Sequence, residues 1–135
     1  MRNWYVYHSR KTVKRTYSSL AESTVFSKSN HRELCIGDLI WVIEGDLDNP
    51  VNFTLVDCFR YTSNEYPPFV RGFEDFKYKF SGDSLFTKPA IELEKSMPWF
   101  KDLHQRYITK QKFFNNISGE EHVVNGLFDV SGLVV

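Results

Sequence analysis

Asp57 is the strongest candidate for a functional carboxylate in this sequence. It sits in Phe53-Thr54-Leu55-Val56-Asp57-Cys58-Phe59, a run whose β-branched and aromatic content predicts a strand. Side chains on a strand alternate with period two, which predicts Phe53, Leu55, Asp57 and Phe59 on one face. A carboxylate held among apolar neighbours offers a hydrogen-bonding group inside a cleft. A structural role, in which it accepts backbone N–H bonds or pairs with an arginine, is the favoured alternative, because buried charge is costly unless satisfied. Asp38 follows Gly37 at the entrance to an apolar run and reads as a turn residue bonding its own backbone.

Other candidate groups are more scattered. His8, His31, His104 and His122 lie far apart and none has the close spacing of a zinc site, so no metal is expected. No nucleophile elbow, phosphate-cradling glycine loop or dinucleotide fingerprint is present, which leaves hydrolase and nucleotide-cofactor readings without local support. The expectation is therefore a binding protein with no cofactor. Arg10, Lys11, Lys14 and Arg15 form a basic cluster after the first predicted strand, suited either to phosphate contacts or to a solvated loop. Trp41, Trp99 and Phe100 are flat surfaces for a base, each stack being worth ~1–3 kcal/mol. Core packing is the stronger reading of Trp41, embedded in LIWVI, while Trp99 and Phe100 open a helix after a proline and are better placed to face a cleft.

These groups need elements to position them. Residues 3–8 predict a short aromatic strand, and 11–32, dominated by Ser, Thr, Lys and Arg, predict a loop with a weak helical turn near Leu20 and an edge strand. Ile36-Gly37-Asp38 reads as a turn. Leu39 to Ile43 is a continuous apolar run, the mark of a strand covered on both faces. A Gly, Asp, Asn and Pro cluster over 44–50 then returns the chain into Phe53–Tyr61 as an antiparallel hairpin. Residues 62–73 hold Pro67-Pro68 and Gly72 and predict an exposed loop, followed by strands at 74–80 and 85–87 around a Ser81-Gly82-Asp83 turn. Trp99, Phe100, Leu103 and Tyr107 form a helical stripe. A second helix is expected from Ser118, with Ser118 and Glu121 as a capping box, an inward face of Val124, Leu127 and Phe128, and Gly132 as its end.

The bulk numbers agree with one α+β domain over 1–135. A chain of 135 residues with 12 Phe among its aromatics can bury a core without staples. Lys plus Arg equals Asp plus Glu at 17 each, which argues against gripping duplex nucleic acid by charge alone. Cys35 and Cys58 are the only cysteines and read as free thiols in a reducing, cytosolic compartment, and no apolar run is long enough for export or a membrane span.

Taken in order, NWYVYHS, the Gly-Asp turn into LIWVIEGD, NFTLVDCFRY, PWFKDL and FFNNIS resemble the PUA-like superfamily. The likeness is to EVE domains, relatives of modules attached to HNH nucleases in modification-dependent restriction systems. It covers residues 3–8, 34–61 and about 96–128. The resemblance implies a small, strongly bent, mostly antiparallel β-barrel with flanking helices that holds a modified or flipped base in an aromatic-walled pocket. His8 and Ser9 match the polar end of the family's first strand, Gly37 and Asp38 its barrel turn, and Trp99 and Phe100 the segment entering its late helix. The chain has no HNH half, so cleavage is not implied, and a role alone or beside a separate effector protein is. The leading expectation is recognition of a modified nucleobase in DNA or RNA, with Arg10, Lys11, Lys14 and Arg15 on the phosphates and His8, Ser9, Trp41, Asp57, Trp99 and Phe100 around the base. Two alternatives stay open: a small nucleotide- or RNA-directed enzyme using Asp57 with a histidine, and a protein adaptor using the YPPFVRGF segment.

Overall fold

A computed structural model describes residues 1–13, 16–20, 22–65, 76–86, 89–107 and 112–134. The apolar run LIWVI forms β3 (Leu39–Gly45), every residue of which is buried. It is covered on both faces and paired on both edges. On one edge it runs antiparallel to β4 (Phe53–Glu65), and on the other parallel to β1 (Asn3–Ser9). Among the described residues the remaining strands are β2 (Thr24–Ser27), β5 (Tyr78–Ser84), β6 (Ile91–Leu93) and β7 (Asn115–Asn116). The 7-stranded sheet has the order β2-β5-β4-β3-β1-β7, with β6 pairing β4 beside this path.

The sheet is mixed and curls into a half-barrel with two flanking helices. Its long strand β4 passes from β3 and β6 to β5 along its length, with irregularities at Val56 and Thr62. Extra residues at such bulges bend a strand and increase its twist. The helices α2 (Pro98–Tyr107) and α3 (Glu121–Ser131) cover one face through Phe100, Leu103, Val123 and Leu127, which pack on Tyr5, Trp41, Ile43 and Leu55. The opposite face carries a second cluster of Trp4, Val6, Tyr17, Ile40, Val42, Phe59, Phe80 and Phe114. Among the described residues no helix is long and apolar enough to cross a membrane.

Three local expectations are corrected. Val42 stands opposite Asp57 while Ile43 stands opposite Leu55, so Val56 is an extra residue and the alternation changes phase there. Phe53 and Leu55 therefore join the helix-covered cluster, whereas Phe59 and Tyr61 join the other, and Asp57 shares the side of Val42 and Phe59. Ser81-Gly82-Asp83 is not a turn but the interior of β5, where Gly82 passes so close to β4 that a Cβ would lie 1.9 Å from the Arg60 carbonyl oxygen. Ser118 does not cap α3: its hydroxyl accepts the Asn3 backbone N–H at 2.8 Å, and the helix begins at Glu121. Gly132 ends α3 as expected, in the left-handed conformation at φ 70°.

Candidate functional site

After β1 the chain makes a single helical turn, α1 (Arg10–Val13), and later a 3-10 turn at Tyr17–Ser19. Tyr17 ties this otherwise polar segment to the sheet. Its backbone N–H donates to Glu44 Oε2 at 2.6 Å, and its hydroxyl donates to Asp57 Oδ2 at 2.7 Å. The same hydroxyl accepts the Thr24 backbone N–H at 3.2 Å, so both capacities of the buried phenol are used. Burial, reinforced by the neighbouring Asp57 charge, pushes the Tyr17 phenol well above its usual pKa and keeps it a donor.

Asp57 is held from the other side by Ser84, whose hydroxyl donates to Oδ1 at 2.8 Å. These two hydroxyls fix the carboxylate, which is only 4% exposed. Both of these partners are neutral. Glu44, at the end of β3, receives the Tyr17 N–H and stands 3.7 Å from His8 Nε2. His8 also meets the Tyr17 ring edge-on, with centroids 5.8 Å apart. Glu22, on the outer wall, pairs with the buried Lys79.

Between these elements lies a cleft of about 440 Å3, walled by Tyr17, Ser18, Leu20, Glu22 and Ser23 on one side. Glu44, Thr54, Val56, Asp57, Ser84, Phe86 and Ala90 complete it. The bulge at Val56 is what builds this floor, since it places Val56 and Asp57 in the same cavity wall although they are consecutive. No group of His, Cys, Asp and Glu suited to a metal ion occurs among the described residues.

The residues singled out in the sequence separate into three sets. Asp57 lines the cleft, and His8 stands behind it against Glu44 and Tyr17. Ser9 ends β1 opposite Gly45 and leads directly into Arg10 and Lys11 of α1. Lys14 and Arg15, and the 66–73 segment of the adaptor alternative, lie outside the described residues. Trp41 and Phe100 are fully buried and present no surface to a ligand. The Trp41 indole N–H donates to Asn3 Oδ1 at 2.9 Å and its ring meets Phe128 edge-on at 5.1 Å. Phe100 packs against Phe53 at 5.4 Å. Trp99 is half-buried, and its ring lies so close to Gly126 that a Cβ there would be 2.1 Å away. These three rings join α2 and α3 to the sheet and do not line the cleft.

Asp38 does more than the local turn bonding expected of it. Its carboxylate accepts the backbone N–H groups of Arg2 and Cys35 and the Trp4 indole N–H, each at 3.0 Å. Burial opposes its charge, but these donors and the Arg2 guanidinium outweigh that and hold the carboxyl below its usual range. Its role is to close the Gly37 turn onto β1.

Reasoning from the sequence missed Tyr17, Glu44, Ser84 and Phe86. Two of these left a trace: Glu44 continues the period-two row Ile40, Val42, Glu44, and Tyr17 is a lone aromatic in a polar stretch. No family model, curated protein or solved structure matches the chain.

Proposed function

We propose that this domain is a PUA-like, EVE-related nucleic-acid-binding module that holds one nucleobase, modified or flipped, in the cleft between the Tyr17 segment and β4. The observation that carries the reading is the fixed Asp57 carboxylate in the wall of a cavity of about 440 Å3, within the ~300–1,000 Å3 range of ligand sites. A carboxylate in such a wall accepts N–H donors from a base edge, as Asp and Glu accept from cytosine N4. Tyr17 and Phe86 supply the aromatic lining, in place of the stacking residues expected from the sequence. Arg10 and Lys11 follow Ser9 at the end of β1 where Glu44 lies, a position suited to steadying a phosphate. The partner is DNA or RNA, and the free thiols Cys35 and Cys58 suit a cytoplasmic protein.

The test is calorimetric titration with short single-stranded oligonucleotides whose central base is guanine, unmodified, methylated or hydroxymethylated cytosine, or methylated adenine. We expect binding by at least one of them, weakened about tenfold or more by Asp57→Asn with an unchanged circular dichroism spectrum, as loss of a charge-assisted hydrogen bond requires. Failure of every oligonucleotide to bind, or equal binding by the variant, overturns the reading.

A second reading has one observation in its favour. His8 Nε2 stands 3.7 Å from Glu44 beside the cleft, a histidine–carboxylate pair of the kind acid–base catalysis uses, and Tyr17 reaches Glu44 through its backbone N–H and Asp57 through its hydroxyl. Turnover of a nucleotide with a bell-shaped pH profile that is abolished in His8→Gln supports it, and absence of turnover leaves the binding role.

A further inference from the structure

The cleft is unusual in its donor and acceptor balance. Its described lining contains the carboxylates of Glu22, Glu44 and Asp57 and no Lys, Arg or His. Two of the three have a basic group at hand: Lys79 for Glu22 and His8 for Glu44. Asp57 differs. It is 4% exposed, and its partners are the neutral hydroxyls of Tyr17 and Ser84. A buried carboxylate is ordinarily satisfied by a cation or by several N–H donors, because desolvated charge is costly. The carboxylate has about four acceptor positions, of which these hydroxyls fill one on each oxygen. By that count one position per oxygen is left, on a carboxylate in the cavity wall.

A group that fills both positions at once carries two adjacent parallel N–H donors, the pattern that makes carboxylate pairs bidentate. Among the standard bases, only guanine has this on its Watson–Crick edge, in the N1–H and the 2-amino group. Cytosine and adenine place an acceptor beside the amino group, and uracil and thymine flank their single N–H with carbonyl oxygens, which face a carboxylate unfavourably. Resting on the nucleobase reading above, we propose that the cleft selects guanine through a bidentate contact to Asp57, whatever substituent the base carries on its other edge.

The experiment compares single-stranded oligonucleotides of one length that differ at a central base: guanine, hypoxanthine, adenine, cytosine or uracil. Hypoxanthine is guanine without the 2-amino group and isolates the second donor. Guanine is expected to bind at least about tenfold more tightly than hypoxanthine, since the lost bond is to a charged acceptor. Asp57→Asn replaces one acceptor by a donor, so the guanine preference over adenine should shrink or reverse. Ser84→Ala frees one carboxylate oxygen without changing the charge, and should lower affinity while keeping guanine first. Equal affinity for guanine and hypoxanthine, or a preference for adenine or cytosine, overturns the guanine assignment and leaves the nucleobase reading standing. If no oligonucleotide binds but agmatine, which carries the same two adjacent donors on a guanidinium, does, both are overturned in favour of a cationic small ligand.

Discussion

Replacing Tyr17 by Phe removes one oxygen atom and should cost the domain about 3 kcal/mol. The phenyl ring keeps its place against His8, so packing is preserved and the loss is confined to hydrogen bonds. Two are affected: the donation to Asp57 at 2.7 Å and the acceptance from the Thr24 N–H at 3.2 Å. A bond to a charged partner contributes ~1.5–3 kcal/mol, and a buried N–H left unsatisfied costs ~1–3 kcal/mol, the two not being fully additive. With an unfolding entropy of about 2.1 cal/mol/K per residue over 135 residues, 3 kcal/mol corresponds to a fall of about 10 °C in Tm. Urea denaturation followed by circular dichroism measures the difference directly. A double-mutant cycle with Asp57→Asn should give a coupling of about 1–2 kcal/mol, because the two side chains share one bond. A loss below about 0.5 kcal/mol for Tyr17→Phe would refute the claim that this residue pins the cleft wall to the sheet.

Other outcomes follow from the same geometry. Phe100→Ala should cost about 3–5 kcal/mol, seen in the urea midpoint, because a fully buried ring is deleted from the helix-covered core; a small loss accompanied by a binding defect would contradict its placement. Gly82→Ala drives a Cβ into the Arg60 carbonyl and should cost at least about 2 kcal/mol, with the loss of amide protection concentrated in β4 and β5. Stability should fall as pH rises above about 10, because burial raises the Tyr5 and Tyr17 pKa values in the folded chain, so the unfolded chain releases those protons first. Each group contributes about 1.4 kcal/mol per pH unit there, and a flat urea midpoint between pH 10 and 11.5 would contradict it. At the acid end, burial lowers the His31 and His104 pKa values, so the unfolded chain takes up protons first and stability falls as pH drops below about 6.5. Replacing both by Gln should flatten the urea midpoint between pH 7 and 5.

Elements with strong periodicity were legible in the sequence. The β3 run, its hairpin with β4, the α2 stripe and the Gly132 stop each follow from residue type and spacing, and the structure has them. The edge position of β2 and the weak turn before it were also readable from their polar composition. Tertiary context decided the rest. The parallel pairing of β1 with β3 depends on a crossover that no local pattern encodes. The Val56 bulge breaks a period-two pattern that looks unbroken, and it moves Asp57 to the other face. Gly82 reads as a turn residue because its real reason, close approach of β4, is non-local. The site followed the same division: Asp57 was visible as a carboxylate in an apolar strand, whereas Tyr17 and Ser84, distant in sequence, are joined to it only by the fold. The Phe100 ring looked better placed for a cleft because residue type alone does not report burial, whereas core packing was already the stronger reading of Trp41 within LIWVI, and both rings are fully buried.

The most direct measurement is a map of amide chemical-shift changes on titrating the isotopically labelled domain with a short guanine-containing single strand. Saturable changes are expected, centred on residues 17–20, 22–23, 44, 54–57 and 84–86, with weaker ones at Arg10 and Lys11 and little change in the α2–α3 interface. Shifts centred elsewhere, or none at saturating oligonucleotide, would contradict it.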